Sequence, residues 1–341
     1  MNISDTLKLC EKNLTVFDAI AKSNDVINNP KYKNIMCLIS GGSDSDIMLD
    51  MLYKIDVDKK IHWVWFDTGL EYQATKDHLL FLENKYGIEI KREKALQPIP
   101  YTTRKVGQPF LNKFVSEQIG RLQKHGFKWE NKPYEQLIKE YPKCKSAIGW
   151  WCNMYRKDFM TTPSAFDIDR NKWLKEFLIA NPPTFPIANK CCTYAKKDVA
   201  KKYIKENSVD LQILGIRKSE GGIRSTAYKS CFSATSKSGA SQYRPLFWFT
   251  DNDKRYYEQV FHVKHSDCYT KYGMARTGCA GCPYNRKFEE EKSVIEKYEP
   301  KLYKGINNIF KDSYEYTRQY KRFCEQMKAK EKGIEQLSLN L

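Results

Sequence analysis

The sequence predicts an α/β protein with a doubly wound, mostly parallel sheet of five strands, extended by a helical insertion and a helical C-terminus. Two short segments, residues 35–39 and 61–66, are almost continuously apolar, as in parallel strands that are covered on both faces. Each is followed by a turn and then by a helical pattern, so the order is strand, helix, strand, helix, strand. Right-handed crossovers would place these strands side by side, with a binding crevice at their carboxyl edge.

The elements follow in order along the chain. A helical lead-in over residues 1–30 ends near Asn28-Asn29-Pro30, because turn residues and proline break a helix. The first part of the α/β domain, residues 31–93, contains three strands, and its second helix stops at Gly87. We predict the third strand at residues 88–91, a helix at residues 194–206 and a fourth strand at residues 211–216. The second part of the domain spans residues 191–290, and charged helices form a C-terminal extension over residues 291–341.

Residues 94–190 form a basic helical insertion that the α/β domain does not require. The insertion has 17 lysine and arginine residues against 8 acidic residues, and it contains Trp129, Trp150, Trp151 and Trp173. Basic groups interleaved with aromatic rings fit a surface that binds the phosphates and bases of tRNA or DNA. Alternatively, the tryptophans are simply the core of a helical cap.

Composition narrows the class of protein further. The chain has a net charge of +17, which favours anionic partners, although lysine-rich solvated helices would give the same value. It has neither a run of about 18 apolar residues nor a secretion signal, so we expect a cytoplasmic protein with no membrane partner. In that reducing compartment, the 11 cysteines favour metal binding, catalysis or burial over disulfides. The histidines His62, His78, His262 and His265 do not form a convincing set of metal ligands.

The main candidate site is the loop after the first strand, which reads Ser40, Gly41, Gly42, Ser43, Asp44 and Ser45. Glycines allow close approach of the backbone, so that successive N–H groups can form an anion site at the start of the next helix. The serines add hydroxyl donors. Asp44 either caps this helix or binds a Mg²⁺ ion that bridges phosphate oxygens.

This loop resembles the SGGxDS signature of the PP-loop, or adenine nucleotide α-hydrolase-like, superfamily. The resemblance implies that the loop binds the pyrophosphate end of ATP, or the phosphate or phosphosulfate end of a related nucleotide. The segment from Phe66 to Glu71 resembles the end of the second strand in phosphoadenylyl sulfate (PAPS) reductases, and it adds Asp67, Thr68 and Gly69 to the nucleotide site. Asp67 alternatively does no more than stabilise a turn.

Two later segments resemble the same family. Residues 214–224 resemble its GIRxxExxxR motif, in which the two arginines meet the anionic end of the ligand. This implies that Gly215 is a nucleotide-binding residue and that Arg217 and Arg224 act with Asp44 as catalytic residues. An ion pair with Glu220 is the structural alternative for either arginine. Residues 244–251 resemble the PLxxWT segment, which enters the next strand and helix.

Four cysteines resemble the CC…CxxC set of those PAPS and adenylyl sulfate (APS) reductases that carry a [4Fe-4S] cluster. They are Cys191, Cys192, Cys279 and Cys282. Adjacent cysteines do not readily bind one ion together but can bind separate irons of a cluster, so we predict a [4Fe-4S] cluster with zinc as the alternative. Redox-active thiols are a third possibility.

One departure from the family shapes the functional prediction. Assimilatory reductases use a cysteine near the C-terminus, but here the last cysteine is Cys324 and it lacks the matching neighbours. We therefore predict an enzyme that uses ATP or a sulfonucleotide for adenylation and sulfur transfer, with an unknown sulfur or electron donor and a possible homodimer. A PAPS or APS reductase with Cys231, Cys268 or Cys324 as nucleophile is the first alternative. A protein that binds nucleotide and nucleic acid without turnover is the second.

Overall fold

The computed structural model describes residues 3–157, 159–221, 226–234 and 239–338, with side chains as far as residue 333. The chain forms two compact units. The first unit comprises Met1–Ile99, Thr193–Ala280 and Val294–Glu299. The second unit comprises Pro100–Cys192, Gly281–Ser293 and Pro300–Leu341.

The first unit contains a six-stranded sheet of order β3-β2-β1-β4-β6-β5. The strands are β1 (Ile35–Leu38), β2 (Ile61–Asp67), β3 (Ile90–Lys94), β4 (Leu211–Leu214), β5 (Phe232–Ser233) and β6 (Ser241–Tyr243). All neighbours pair in parallel except β5, which is antiparallel to β6. The predicted α/β class and the mostly parallel sheet are confirmed. The additional strand, β5, has two residues and is too short to show a periodic pattern.

The helices are α1 (Ile3–Leu9), α2 (Leu14–Ile27), α3 (Ser43–Tyr53), α4 (Gln73–Tyr86), α5 (Ile99–Lys105), α6 (Lys113–Lys124), α7 (Tyr134–Glu140), α8 (Lys145–Trp151), α9 (Leu174–Ala180), α10 (Lys190–Cys192), α11 (Asp198–Glu206), α12 (Asp251–Phe261), α13 (Asp267–Thr270), α14 (Phe288–Tyr298), α15 (Pro300–Ile309) and α16 (Lys311–Ser338). Short 3-10 turns cover Pro142–Cys144, Ile168–Arg170 and Lys218–Glu220, and a π turn covers Thr193–Lys197. No helix in the described part of the chain is both long and apolar enough to cross a bilayer.

The parallel register fixes the location of the candidate site. β1 lies between β2 and β4, with Leu38 opposite Val64 on one side and Leu214 on the other. The chain therefore leaves these strands at the same edge of the sheet, where the loop after β1, the turn after β2 and Gly215 follow. This is the carboxyl edge at which ligands bind in doubly wound folds.

Two element boundaries, the start of β3 and the end of β4, differ from the sequence prediction for local reasons. Helix α4 ends at Tyr86 with Gly87 in the left-handed region (φ 61°), as predicted, but the N–H of Ile88 donates to Glu83 within the same cap. Pairing of β3 therefore begins only at Ile90. Strand β4 ends at Leu214 because the N–H of Ile216 bonds back to the carbonyl of Leu214.

The remaining differences concern the segments around the helices α11 and α12. The helix predicted at residues 194–206 begins with the π turn, and the α-helix proper starts at Asp198. The segment 244–251 was expected to enter the next strand, but that strand, β6, comes before it. The segment leads instead into α12, whose N-cap Thr250 and Asp253 form a capping box.

Buried tryptophans form part of the core of the second unit. Trp150 and Trp151 are fully buried and Trp129 is nearly so, and all three pack with residues such as Phe127 and Leu137. Helix α16 adds Tyr316 to the same core. The alternative interpretation of these three tryptophans, as core residues and not as a stacking surface, is therefore the correct one.

Candidate active site

The loop between β1 and α3 has a backbone that its own serines stabilise. The Ser45 hydroxyl donates to the carbonyl oxygen of Gly42 at 2.8 Å and accepts from the N–H and the hydroxyl of Ser40 at 3.3 and 3.2 Å. The Ser40 hydroxyl oxygen also accepts from the N–H of Gly42 at 3.3 Å. These contacts are internal to the loop, so the chain itself sets the shape of the turn.

Geometry requires a glycine at position 41 and leaves little space for a side chain at position 42. Gly41 has a φ of 67°, and a Cβ atom there would lie 2.6 Å from Cγ2 of Thr75. A Cβ on Gly42 would lie 3.1 Å from the Ser40 hydroxyl and 3.2 Å from the hydroxyl of Tyr269. A side chain at position 41 would distort the loop, whereas one at position 42 would push the surrounding hydroxyl groups away by a few tenths of an ångström.

The first turn of α3 supplies the positive end of a helix. The helix begins at Ser43 and runs for 11 residues, and its N-cap Gly42 offers no side chain to satisfy the first N–H groups. N–H groups of a first turn have no partner within their own helix. Together with the helix macrodipole, they form a suitable site for an anion.

A cavity of about 610 Å³ opens at this point of the first unit. Its volume is in the range of small-molecule sites. The predicted residues that line it are Ser40, Gly42, Ser43, Asp44, Ser45, Gly215 and Arg217. The charged side chains around it are the cations Lys196, Lys197, Arg217, Lys254 and Arg276 and the acids Asp44, Glu71 and Glu220. Cations outnumber acids, which favours an anionic ligand.

Arg217 is directed at the loop by two carboxylates. Its side chain is 10% exposed, and it donates from Nε to Asp44 at 3.0 Å and from Nη1 to Asp251 at 2.8 Å. The suggested side-chain pair with Glu220 does not form, since Glu220 instead accepts from the backbone N–H of Arg217 at 3.4 Å. Burial opposes the charge of Arg217, but the bonds with Asp251 and Asp44 outweigh it and raise the Arg217 pKa.

A second cation, Lys254, also contacts the loop, and sequence analysis missed it. Its Nζ lies 3.1 Å from Oδ1 of Asp44, donates to the hydroxyl of Ser43, and lies 3.8 Å from Glu258. Asp44 therefore pairs with Arg217 and Lys254 and forms no helix cap. Lys254 lies in the first turn of α12, just after the PLxxWT-like segment. This position could have suggested a role at the site, but Lys254 is not part of any motif.

Behind the loop, a fully buried carboxylate joins two histidines. Asp46 lies 2.8 Å from Nδ1 of His265 and 3.1 Å from Nε2 of His78. The other ring nitrogen of His265 lies 2.9 Å from Glu258. Burial lowers the His265 pKa, but the bonds to Asp46 and Glu258 raise it more, to about 9. His265 therefore belongs to a buried charge network with Asp46 and Glu258, and His78 lies next to it. The separation of these residues in the sequence conceals the network.

The turn after β2 positions Glu71 at the cavity. Asp67 accepts from the N–H of Gly69 at 2.9 Å, so its carboxylate stabilises the turn, and the Thr68 hydroxyl donates to Glu71 at 2.6 Å. Asp67, Thr68 and Gly69 are not among the residues that line the cavity, whereas Glu71 is. Burial raises the pKa of Glu71, and the nearby Lys196 opposes this rise. Nucleotide contacts by the three predicted residues remain a prediction. Arg224 lies outside the described residues.

The predicted cluster ligands divide between the two units. Cys191, Cys192 and Cys282 belong to the second unit, whereas Cys279 belongs to the first, where its sulfur accepts from the Thr68 hydroxyl at 3.7 Å. None of the 11 cysteines forms a disulfide. Within the described ranges, no group of three or more histidine, cysteine or acidic side chains has the arrangement of metal ligands.

Tyr284 provides a test of whether the cysteines of the second unit suit a thiophilic group. Its hydroxyl oxygen is buried and makes no hydrogen bond of acceptable geometry with a described residue. Burial raises the pKa of Tyr284, the Ser116 side chain opposes this rise, and the neighbouring thiols of Cys191, Cys192 and Cys282 add to it. Three thiols therefore lie near Tyr284. Thiolates are the ligands that a cluster or zinc prefers, but the described side chains are not arranged as a metal site.

Comparison with known families confirms the resemblance that the motifs indicated. Residues 34–147 match the family model of the phosphoadenosine phosphosulfate reductase domain. This part of the chain includes the glycine loop, β1, β2 and β3. No curated protein sequence matches the chain significantly.

Several solved structures are similar to this chain at low sequence identity. The PAPS reductase of Candida auris, in a phosphate complex, is 14% identical over 80% of this chain and 93% of its own, with a TM-score of 0.40. The FMN adenylyltransferase of Candida glabrata in complex with ATP is 11% identical over 82% and 71%, with a TM-score of 0.40. The U34-tRNA thiolase of Methanococcus maripaludis with its [4Fe-4S] cluster is 12% identical over 91% and 79%, with a TM-score of 0.37.

Proposed function

We propose that this chain is an enzyme that binds ATP, or a related adenine nucleotide, in the cavity of the first unit, with the phosphates against residues 40–45. One observation carries the proposal: a glycine loop of fixed shape and the first turn of α3 face a cavity in which cations outnumber acids. Backbone N–H groups, a helix N-terminus and guanidinium and ammonium groups are the donors that phosphates require.

The reaction that best fits this site is adenylation of an acceptor. An acceptor oxygen attacks the α-phosphorus of ATP, and the bond from that phosphorus to the oxygen bridging to the β-phosphate breaks. Pyrophosphate leaves with the bonding electrons, and the acceptor proton passes to solvent. Arg217 and Lys254 would stabilise the charge that develops on the leaving group. A role for Mg²⁺ at Asp44, and a catalytic role for Arg224, remain predictions on which no step here depends.

Adenylation prepares the acceptor for sulfur transfer. A sulfur nucleophile of the hydrosulfide class would displace AMP and form a carbon–sulfur bond. Cys191, Cys192, Cys279 and Cys282 would bind a [4Fe-4S] cluster, with zinc as the alternative, and a bound cluster would supply irons that can bind sulfur or transfer electrons. The proposed acceptor is tRNA or DNA, because residues 94–190 carry 17 basic side chains against 8 acidic ones. A homodimer is part of the same proposal.

The reductase alternative has weaker support, because it needs a reactive thiol among Cys231, Cys268 and Cys324. Cys268 is fully buried, and burial raises its pKa. Burial also raises the pKa of Cys324. Cys231 lines a different cavity, with Leu14 and Trp248. Thiols with raised pKa values are poor nucleophiles because the thiolate is the reactive form.

One anaerobic experiment separates the candidate functions. The purified protein is assayed for iron and visible absorbance, and it is then incubated with ATP and with PAPS in the presence of a thiol. Release of pyrophosphate or AMP from ATP supports adenylation, and iron that is lost in Cys282→Ser supports the cluster. Sulfite from PAPS would favour the reductase. If the protein binds tRNA or DNA tightly but forms no product from either nucleotide, the result would favour a nucleic-acid-binding protein without catalytic turnover.

A further inference from the structure

Lys254 lies at the end of α3 that favours an anion, where its ammonium group pairs with Asp44 and lies near Glu258. Its ammonium group contacts the Ser43 hydroxyl in the first turn of α3, where the helix macrodipole is positive. Arg217 approaches the same turn through Asp44. Two cations and a helix N-terminus thus converge, and Asp44 is the carboxylate that both cations share. A phosphate at this turn would therefore meet the ammonium group of Lys254 together with the first N–H groups of α3.

The surrounding elements hold Lys254 in this position. Lys254 lies in the first turn of α12, where the capping box of Thr250 and Asp253 fixes the start of the helix. One turn further on, Glu258 contacts His265, which in turn contacts the buried Asp46 of α3. Helices α3 and α12 are therefore connected at two points.

The exposure of Lys254 leaves it accessible to a ligand. Its side chain is 18% exposed and lines the cavity of about 610 Å³. A lysine with this degree of burial keeps its alkyl chain packed and directs its ammonium group to the opening. Because ammonium is a compact charge with three donors, it can exchange the Asp44 oxygen for a phosphate oxygen without moving its helix.

We propose that Lys254 is a phosphate-binding residue that contacts the terminal phosphates of the nucleotide, and that the Glu258–His265–Asp46 contacts position it. This inference rests on the proposed binding of an adenine nucleotide to the loop. It adds a cation that none of the sequence motifs identified, and it assigns that cation to the phosphates and not to the base or the ribose.

The test compares nucleotides that differ only in phosphate content. Calorimetry measures the affinities of ATP, AMP and adenosine for the wild type, Lys254→Met, Lys254→Arg and a control, Lys201→Met. Lys201 is exposed on α11, and among the described residues its one ion pair is with Asp198 at 3.5 Å. We expect Lys254→Met to weaken ATP binding about tenfold or more, and adenosine binding less than about twofold. Lys254→Arg should retain most of the affinity for ATP, and Lys201→Met all of it.

Each other outcome has a distinct meaning. If Lys254→Met binds ATP as tightly as the wild type, or if it loses affinity for ATP and adenosine equally, Lys254 does not bind phosphate and the inference is wrong. If the wild type itself binds none of the three compounds, the proposed function fails together with the inference. Thermal unfolding of each variant checks that it is folded, and Lys254→Arg keeps the test decisive if Lys254→Met is unstable.

Discussion

Gly41 and Gly87 share a left-handed backbone but differ in their surroundings, so they form a matched pair. Gly41 has a φ of 67° and would place a Cβ 2.6 Å from Thr75, whereas Gly87 has a φ of 61° and no atom within 4 Å of such a Cβ. We predict that Gly87→Ala lowers the free energy of unfolding by about 1 kcal/mol through backbone strain alone. Gly41→Ala should cost about 2 kcal/mol or more and abolish nucleotide binding. Equal stability losses in denaturant titrations would show that the contact with Thr75 is unimportant.

Asp44 and Asp251 both pair with Arg217, but they differ in burial. The Asp44 side chain is 19% exposed and also pairs with Lys254, whereas the Asp251 side chain is 75% exposed. We predict that Asp44→Ala leaves two cations without their shared carboxylate and lowers nucleotide turnover at least about tenfold. Asp251→Ala should change stability by less than about 1 kcal/mol. Pyrophosphate release measures the first effect, and unchanged release in Asp44→Ala would exclude a role for this carboxylate.

The sequence alone could identify only those site residues that belong to a motif. The glycines and serines of the loop lie next to each other in the chain, and their pattern has a direct physical reason. Lys254 and His265 contact Asp44 and Asp46 across more than two hundred residues of sequence. Such contacts depend on how α3 and α12 pack, which no local pattern shows.

Helix α12 sets the position of a cation, so its N-cap should influence both stability and binding. The Thr250 side chain accepts from the N–H of Asp253, and Asp253 accepts in return from the N–H and the hydroxyl of Thr250. We predict that Thr250→Ala lowers the free energy of unfolding by about 1 kcal/mol and weakens ATP binding by a smaller factor than Lys254→Met. Thr250→Ser, which keeps the cap, is the control for both measurements. A Thr250→Ala protein as stable as the wild type would show that this cap is dispensable.

Element boundaries were predictable where a single residue decides them. Gly87 ended α4 as expected, because only glycine adopts the left-handed cap without strain. Strand β3 begins at Ile90, two residues later than the sequence predicts, because Ile88 still belongs to the cap of α4. The apolar side chain of Ile88 is equally compatible with a strand, so the sequence does not reveal this. The short strand β5 depends on pairing with β6, a non-local contact.

The buried His265 network should make the stability of the whole molecule depend on pH. The pKa of His265 is raised to about 9, so its protonated form is favoured by folding. The resulting stabilisation is complete below about pH 6.5, the ordinary value for histidine, and is lost as the pH rises through about 9. We predict a loss of up to about 3 kcal/mol over this range in the wild type that is absent in His265→Gln. Parallel pH profiles of the unfolding free energy for the two proteins would contradict this.

The charge of the molecule is a property that the sequence does predict. The net charge of +17 favours anionic partners, and the cavity of the first unit has the same bias. The three tryptophans that suggested a stacking surface instead form the core of the second unit, because burial depends on packing that composition does not reveal. The proposal that the insertion binds tRNA or DNA therefore rests on its basic side chains, and it predicts that such binding weakens steeply as salt increases.

The most direct test of nucleotide binding at residues 40–45 is a calorimetric titration with ATP and Mg²⁺, performed in parallel on the wild type and on Gly42→Ala. A Cβ at position 42 would lie within 3.3 Å of three hydroxyl oxygens around the loop. We predict saturable binding of one nucleotide per chain by the wild type and loss of that binding in a Gly42→Ala protein that remains folded. Equal binding by the two proteins would place the nucleotide elsewhere, and no binding of ATP or PAPS by the wild type would contradict the proposed function.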